Sequence, residues 1–202
     1  MSKLTIYGTP QARPYRTYWM ARELGLDYEA KPWSFRGEEL KSDAYKEINP
    51  NVRIPAIDDD GFKLWESMAI NLYLARKHGG PLQPADLQGE AQAMMWSFWV
   101  MTEIEKPVLA YLFQMMGPED KRDPAVMETS LDELKRPLAV LDDHLAKSPY
   151  ILGGDFTVAD LNVAAVLSWA KMSKIDLSAW PKVKDWLDRC LGRPAAKAAR
   201  EG

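Results

Sequence analysis

The sequence has few of the residues that build disulfides, metal sites and membrane spans. It has one cysteine, Cys190, so no intrachain disulfide can form, which suits a reducing compartment such as the cytoplasm. Its two histidines, His78 and His144, stand far apart and no cysteine cluster accompanies them. No apolar run reaches the roughly 18 residues of a membrane span, and no signal-peptide core is present at the start. We therefore expect a cytoplasmic protein with no metal and no membrane partner.

An excess of charge of one sign is also missing. The chain has 29 acidic and 26 basic residues, which gives a formal charge of −3. A nucleic-acid-binding protein would show a clustered basic excess, so we expect no nucleic-acid partner. The 202 residues are 47% hydrophobic, enough for one large domain or two small ones.

The first 78 residues alternate segments typical of strands and helices. The predicted strands are 4–7, 27–31, 53–57 and 62–65, and the predicted helices are 14–24 and 67–78. Pro14 is at the tolerated first position of its helix, and Gly25 ends it. This order predicts a small α/β sheet domain over residues 1–78.

A Gly- and Pro-rich segment, 79–87, is predicted to be a linker, and the strand pattern ends there. The predicted helices after it are 88–116, 124–146, 158–172 and 181–191, which indicate an all-helical domain over 88–202. Thr157 and Asp160 have the spacing of a capping box at the start of one of these helices. The Ala-rich tail, 195–200, is expected to be frayed.

Residues 53–67 combine two features that suit binding of a small peptide. A proline inside an apolar run cannot donate to a strand ladder, so Pro55 belongs at the edge or start of a strand. If the Ile54–Pro55 bond is cis, the N–H and C=O of Ile54 face outward and can pair with an extended peptide. Ser67 opens a helix, and helix N-termini bind carboxylates through unpaired N–H groups.

These motifs resemble those of the cytosolic glutathione transferase family. Residues 49–57, Asn-Pro-Asn-Val-Arg-Ile-Pro-Ala-Ile, are similar to its N-P-x-G-x-V-P-A-L signature, and residues 64–70 are similar to L-x-E-S-x-A-I. Residues 154–160 resemble the folding motif of its second domain, and the resemblance runs from Leu4 to about Pro194. It implies a thioredoxin-like N-terminal domain, a C-terminal helical bundle domain, glutathione as cosubstrate and a homodimer.

The resemblance also implies which residues hold glutathione. These are Lys41, Arg53, Ile54, Pro55, Glu66 and Ser67. The Ile54 backbone would pair with the cysteinyl part, as an added strand does. Ser67 would hold the γ-glutamyl carboxylate, and Glu66 would accept from the ammonium group. Arg53 stands where the family often has Lys or Gln, and Lys41 where a basic residue often meets the glycyl carboxylate.

A transferase must lower the pKa of the glutathione thiol. A free thiol with a pKa of about 8.5 is only about 3% thiolate at pH 7, and the thiolate is the nucleophile. Lowering the pKa by two units needs about 2.7 kcal/mol of preferential thiolate binding. One charge-assisted hydrogen bond supplies about 1.5 to 3 kcal/mol, so one well-placed donor is sufficient.

The residue that aligns with the usual donor of the family differs from the commonest family pattern. Aligning residues 8–16 with G-x-P-x-S-x-x-x-R places Ala12 at the catalytic serine. Thr9-Pro10-Gln11 is similar to the Thr-Pro-Asn of the bacterial nu class, whose members use threonine and asparagine near the sulfur and reduce disulfides. We therefore expect Thr9 to donate to the thiolate, helped by the amide of Gln11 and the positive charge of Arg13. Tyr7, at the end of the first strand, is the alternative donor.

The resemblance predicts an enzyme that conjugates the glutathione thiolate to a small electrophile, with a detoxification role. The electrophile is expected to bind between the domains, against a helix that carries Trp96, Trp99, Met101, Glu103 and Tyr111. Two other functions stay open: a glutathione-dependent disulfide oxidoreductase, suggested by Thr9-Pro10-Gln11, and a non-catalytic binding or regulatory module, suggested by Ala12. The intact Glu66-Ser67 pair favours retained glutathione binding over the last.

The first N–H groups of the helix that follows Arg13 are further candidates for the ligand, because no capping residue precedes them.

Overall fold

A computed structural model describes residues 3–201. They form two compact units. The first contains the residues up to Gln83 and those from Arg193 onward, and the second is Pro84–Gly192. The boundary at Gln83 falls inside the predicted linker, 79–87. The predicted helical domain, 88–202, starts later than the second unit. It also extends beyond the end of that unit, because the last helix of the chain packs with the first unit.

The first unit is built on a four-stranded mixed sheet. Its strands are β1 (Leu4–Tyr7), β2 (Tyr28–Lys31), β3 (Ala56–Asp59) and β4 (Phe62–Trp65). Their order is β2-β1-β3-β4; β1 and β2 are parallel and the other pairs antiparallel. The third strand starts later than predicted, because Pro55 has no N–H and the ladder begins at Ala56.

Three helices accompany the sheet in the first 83 residues. They are α1 (Tyr15–Glu23), α2 (Asp43–Lys46) and α3 (Ser67–His78). α1 connects the two parallel strands, which gives the predicted thioredoxin-like arrangement. α3 begins and ends at the predicted residues.

The second unit is helical, as predicted. Its helices are α4 (Leu87–Trp99), α5 (Glu105–Met116), α6 (Pro124–Leu145), α7 (Val158–Met172) and α8 (Pro181–Leu191). A π-helical turn, Val100–Ile104, interrupts the predicted helix 88–116 between α4 and α5. α7 is buried along almost its whole length and starts with the predicted capping box of Thr157 and Asp160. Among residues 3–201, no helix combines the length and the apolar character needed to cross a bilayer.

The predicted frayed tail is wrong, because Pro194–Glu201 forms a helix, α9, that packs on α1. The small buried side chains of α9 allow this close approach. Tyr15 donates its hydroxyl proton to the carbonyl of Ala196 at 3.2 Å. Before α9, Arg193 binds the buried carboxylate of Glu23 through two nitrogens, at 2.6 and 2.8 Å. The helix therefore gains its stability from α1 rather than from its own sequence.

Candidate functional site

The turn between β1 and α1 approaches the start of β3 very closely, and Gly8 permits this. Gly8 has φ +114, and a Cβ there would lie 2.5 Å from Cγ of Pro14 and 2.7 Å from Cβ of Ile54. The Gly8 carbonyl accepts the Tyr18 hydroxyl proton at 3.0 Å, which anchors the turn on α1. The turn that carries Thr9 is therefore held beside Ile54.

Thr9 and Gln11 bind each other on this turn. The Thr9 hydroxyl donates to the side-chain Oε1 of Gln11, and the backbone N–H of Gln11 donates to the same hydroxyl oxygen, with a nitrogen–oxygen distance of 3.5 Å. Thr9 is half-buried, whereas Gln11 and Arg13 are exposed. The hydroxyl group proposed to face a ligand thus has a side-chain amide as its immediate neighbour.

The first N–H groups of α1 are not open to a ligand, contrary to the expectation from its missing cap. The N–H of Tyr15 donates to the carbonyl of Ala12 at 3.0 Å, and that of Arg16 donates to Arg13 at 3.1 Å. The N–H of Thr17 donates to Pro14 at 2.9 Å. The turn that precedes the helix satisfies these three donors, so they are not available to a ligand.

Tyr7 packs in an aromatic cluster. Its ring lies 5.3 Å from that of Trp33 and 5.6 Å from that of Tyr45, centroid to centroid. Burial raises the pKa of Tyr7, and the carboxylate of Asp58 raises it further. Asp58 pairs with Thr5, two residues before Tyr7 on β1. The phenol of Tyr7 is thus packed among aromatic rings and stays protonated at neutral pH.

The Ile54–Pro55 peptide bond is cis. The ladder between β1 and β3 starts at Ala56, so the amide and carbonyl of Ile54 lie beyond its end. Neither group makes a backbone hydrogen bond within residues 3–201. The Ile54 side chain is buried with Leu40 and Tyr45. Packing thus fixes the side chain and leaves the backbone groups available.

Side chains fix the backbone just before Ile54. The Arg53 carbonyl accepts from the Tyr45 hydroxyl at 2.6 Å and from Nδ2 of Asn49 at 2.8 Å. The guanidinium of Arg53 is exposed, and no partner for it appears in the described part of the chain. Lys41, in contrast, binds the carboxylate of Glu38 at 2.7 Å, and both side chains are largely exposed. The structure therefore leaves Arg53 available and gives Lys41 a weak competing partner.

The N-terminus of α3 has open donors. Its first residue is Ser67, and no side chain caps it. The first helical hydrogen bond runs from the N–H of Ile70 to the carbonyl of Glu66, so the N–H groups of Ser67 and Met68 stay unbonded within residues 3–201. Glu66 has φ +72, an unfavourable conformation for a non-glycine residue, and its exposed carboxylate makes no hydrogen bond or ion pair in that range. We call the two N–H groups and the Ser67 hydroxyl the α3 anion site.

One residue that sequence reasoning left without a role contacts this site. Arg16, on α1, is only 1% exposed, and its Nη1 donates to Oγ of Ser67 at 3.2 Å. One turn along α3, Nδ2 of Asn71 donates to the Arg16 carbonyl at 3.2 Å. The available signal was a charged residue on an otherwise buried helix face, at the arginine of the G-x-P-x-S-x-x-x-R pattern. α1 thereby connects the Thr9 turn to the α3 anion site.

The predicted pocket residues of the second unit divide into core and surface. Trp96 is buried, and its ring lies 4.9 Å from that of Trp99 and 4.8 Å from that of His144. Glu103 forms an ion pair with the exposed Arg136 at 3.2 Å. Trp96 is thus a core residue of this unit.

Among residues 3–201, no group of three or more His, Cys, Asp or Glu side chains is placed to hold a metal ion. The donors assembled in the first unit are hydroxyl, amide and guanidinium groups. These groups suit a carboxylate or a thiolate.

Comparisons with known proteins identify the family of this chain. Residues 2–76 match the sequence model of the glutathione S-transferase N-terminal domain, and residues 104–194 match that of the C-terminal domain. Glutathione S-transferase D7 of Drosophila melanogaster is 31% identical over 192 residues, which cover 93% of this chain and 84% of the relative.

Solved structures agree as well. A theta class glutathione S-transferase from Xanthomonas axonopodis pv. citri, with glutathione bound, is 26% identical with a TM-score of 0.91 and covers 100% of this chain and 99% of its own. Glutathione S-transferase I from maize, in complex with an atrazine glutathione conjugate, is 29% identical with a TM-score of 0.86 and coverages of 98% and 96%. The chain belongs to the glutathione S-transferase family.

Proposed function

We propose that the protein is a glutathione transferase that conjugates the glutathione thiolate to a small electrophile. The observation that carries the proposal is the pairing of two open features in the first unit: the Ile54 backbone beyond its ladder and the α3 anion site. The bound ligands of two similar structures, glutathione and an atrazine glutathione conjugate, support it.

The two ends of glutathione meet different chemistry in this proposal. The cysteinyl part pairs with the amide and carbonyl of Ile54, next to the rigid Pro55, as an added strand would. The γ-glutamyl carboxylate accepts from the α3 anion site, where the helix dipole adds up to about 1 kcal/mol. The carboxylate of Glu66 accepts from the adjacent ammonium group. Arg53 attracts the glycyl carboxylate, and Lys41 joins it by exchanging Glu38 for the ligand.

Thr9 is proposed to stabilise the thiolate, with Gln11 as its support. In the described structure the Thr9 proton goes to Oε1 of Gln11. A half-turn of the Gln11 amide places Nε2 there instead, so that the amide donates to the Thr9 oxygen and the Thr9 proton is released for the sulfur. A charge-assisted bond of this kind is worth about 1.5 to 3 kcal/mol, or about one to two units of thiol pKa. The exposed guanidinium of Arg13 adds positive potential.

The chemical step follows from the thiolate. Its sulfur forms a bond to the electrophilic carbon, and the bond from that carbon to the leaving group, such as chloride, breaks with the electron pair leaving on chloride. The protein's contribution is to hold the thiolate charged and aimed, since no other nucleophile is needed.

A disulfide reductase is the second candidate, and the Thr9-Pro10-Gln11 turn, together with the missing catalytic serine or cysteine, favours it. The residue that many family members use as a catalytic serine or cysteine is here a methyl group, next to the Thr9-Pro10-Gln11 turn. In that reaction the bound thiolate attacks one sulfur of a mixed disulfide, a new S–S bond forms and the other thiolate leaves.

Binding is tested first by thermal shift with millimolar glutathione. The wild type should be stabilised, because the ligand binds the folded state only. Ser67→Ala should lose most of this shift, whereas Ser178→Ala, a surface serine of the second unit, should keep it. No shift for the wild type would favour the non-catalytic module.

Rates then separate the two enzymes. We expect faster turnover of a chloronitrobenzene than of a small glutathione mixed disulfide; the reverse order would establish the second candidate. Thr9→Val should raise the pKa of the bound thiol by about one to two units in an ultraviolet thiolate titration, and Thr9→Ser should restore it. An unchanged pKa in Thr9→Val would remove Thr9 from the mechanism.

We further propose a homodimer that works in the cytoplasm, in keeping with the single, buried Cys190. An exposed apolar stripe on α4 supports a second copy as partner. Its members recur at helical spacing and are Leu87, Met94, Met95 and Phe98, 77%, 48%, 54% and 63% exposed.

Sedimentation tests the dimer. The wild type should sediment at twice the chain mass of 22.9 kDa at micromolar concentration. Phe98→Glu should shift it toward the single-chain mass, whereas Val140→Glu, at an exposed apolar residue of α6, should not. A wild type that sediments as a single chain would contradict the proposal.

A further inference from the structure

The geometry points to Arg16 as a positioning residue for the γ-glutamyl carboxylate of glutathione, acting through the Ser67 hydroxyl; this inference rests on the proposed function. Arg16 is nearly inaccessible, so its guanidinium cannot act as a general attractor at the surface. Its Nη1 instead donates to Oγ of Ser67, the one side-chain donor of the α3 anion site.

The hydrogen-bonding capacity of a hydroxyl explains how this contact acts. Ser67 has one proton to donate and two lone pairs to accept with. A guanidinium has only donors and stays protonated at any working pH, so it always occupies a lone pair of Ser67. The Ser67 proton therefore points away from Arg16 and remains for an acceptor in the anion site.

Charge acts in the same direction. A carboxylate at the N-terminus of α3 meets the positive end of the helix and, behind Ser67, a buried cation. Burial reduces the screening of that cation by water and salt. Both effects strengthen the hydrogen bond from Ser67 to a negatively charged acceptor, whereas they do not strengthen a hydrogen bond to a neutral acceptor.

A second hydrogen bond, to the backbone of Arg16, also links Arg16 to α3. Nδ2 of Asn71, four residues after Ser67, donates to the Arg16 carbonyl, and Asn71 is fully buried. Arg16 is thereby bound to α3 through its side chain and through its backbone. A small rearrangement of α1 is expected to reach the α3 anion site along this route.

The inference predicts a ligand-specific loss. Arg16→Met keeps most of the buried volume and removes the donor and the charge. Its affinity for glutathione should fall by about tenfold, the lower end expected for one charge-assisted hydrogen bond. Its affinity for a glutathione analogue that lacks the γ-glutamyl α-carboxylate should be nearly unchanged.

Calorimetric titration of both ligands into wild type, Arg16→Met, Arg16→Lys and Ser67→Ala tests it. Arg16→Lys, which retains the charge, should recover part of the loss and also serves where Arg16→Met folds poorly in circular dichroism. In kinetics, KM for glutathione should rise while kcat and the bound-thiol pKa stay constant. In a Ser67→Ala background, Arg16→Met should reduce the affinity for glutathione much less than it does in the wild type.

Three results would overturn the inference: equal losses for both ligands, a raised thiol pKa, or full additivity of the Arg16 and Ser67 substitutions. The first would assign Arg16 to the fold, and the second would assign it to the sulfur. If the proposed function itself is wrong, the calorimetric titration gives another result, in which the wild type binds neither ligand.

Discussion

The substitution Gly8→Ala tests the close approach on which the candidate site depends. Two costs add at this residue. The φ of Gly8, +114, lies outside the left-handed helical region and costs an L-residue about 1–3 kcal/mol. The added Cβ would meet Cγ of Pro14 at 2.5 Å and Cβ of Ile54 at 2.7 Å, and overpacking of this kind costs about 1–3 kcal/mol.

Gly25→Ala is the control for a positive φ without a steric clash, although the φ of Gly25, +63, lies in the left-handed helical region and that of Gly8, +114, lies outside it. Gly25 also has a positive φ, +63, but nothing lies within 4 Å of the position that an added methyl group would take. Gly25→Ala should therefore lose only about 1–2 kcal/mol of unfolding free energy, while Gly8→Ala should lose about 2–6 kcal/mol.

Urea unfolding followed by tryptophan fluorescence measures the difference. The midpoint of Gly8→Ala should lie below that of Gly25→Ala by on the order of 1 M, with similar slopes. Glutathione affinity should fall only in Gly8→Ala, since the methyl group pushes the Thr9 turn away from Ile54. Equal midpoints for the two variants would refute the steric argument.

Three further substitutions probe the contacts around this site and in the second unit. Tyr18→Phe removes the bond to the Gly8 carbonyl and should cost about 1 kcal/mol at pH 7. Burial raises the pKa of Tyr18 to about 12 in the folded protein. Between about pH 10 and 12 only the unfolded phenol ionises, so the stability of the wild type falls as the pH rises. The difference in urea midpoint between wild type and Tyr18→Phe should therefore vanish near about pH 11. Arg193→Met leaves the buried Glu23 carboxylate without its cation and should lower the free energy of unfolding by about 1–3 kcal/mol. In a Glu23→Gln background Arg193→Met should cause no such loss, because no carboxylate is left unpaired. Asp160→Ala strands four buried donors and should lower the free energy of unfolding by more than about 3 kcal/mol in thermal or urea unfolding. A loss below about 1 kcal/mol would show that the capping box is dispensable.

Local signals predicted the elements that local chemistry determines. α3 starts at Ser67 and ends at the residue before a Gly pair, and both limits are visible in the sequence. The capping box fixes the start of α7 in the same way. Pro55 indicated the start of a strand, although the predicted range began too early.

Contacts between distant residues escaped prediction. Arg16 and Ser67 are separated by 51 positions, and nothing in either neighbourhood indicates the other. The packing of α9 on α1 was also missed, because the two helices lie almost the whole chain apart in sequence. The pairing of Thr9 with Gln11 depends on side-chain torsions within a turn, which residue types alone do not define.

The position of α9 has a consequence for synthesis. Ribosomes make this helix only after the whole of Pro84–Gly192, yet it completes the unit that contains β1. Domains usually fold in order as they emerge, at about 5–20 residues per second. The nascent first unit must therefore wait several seconds, with one side of α1 uncovered, and depends in that interval on whatever shields apolar surface in the cell.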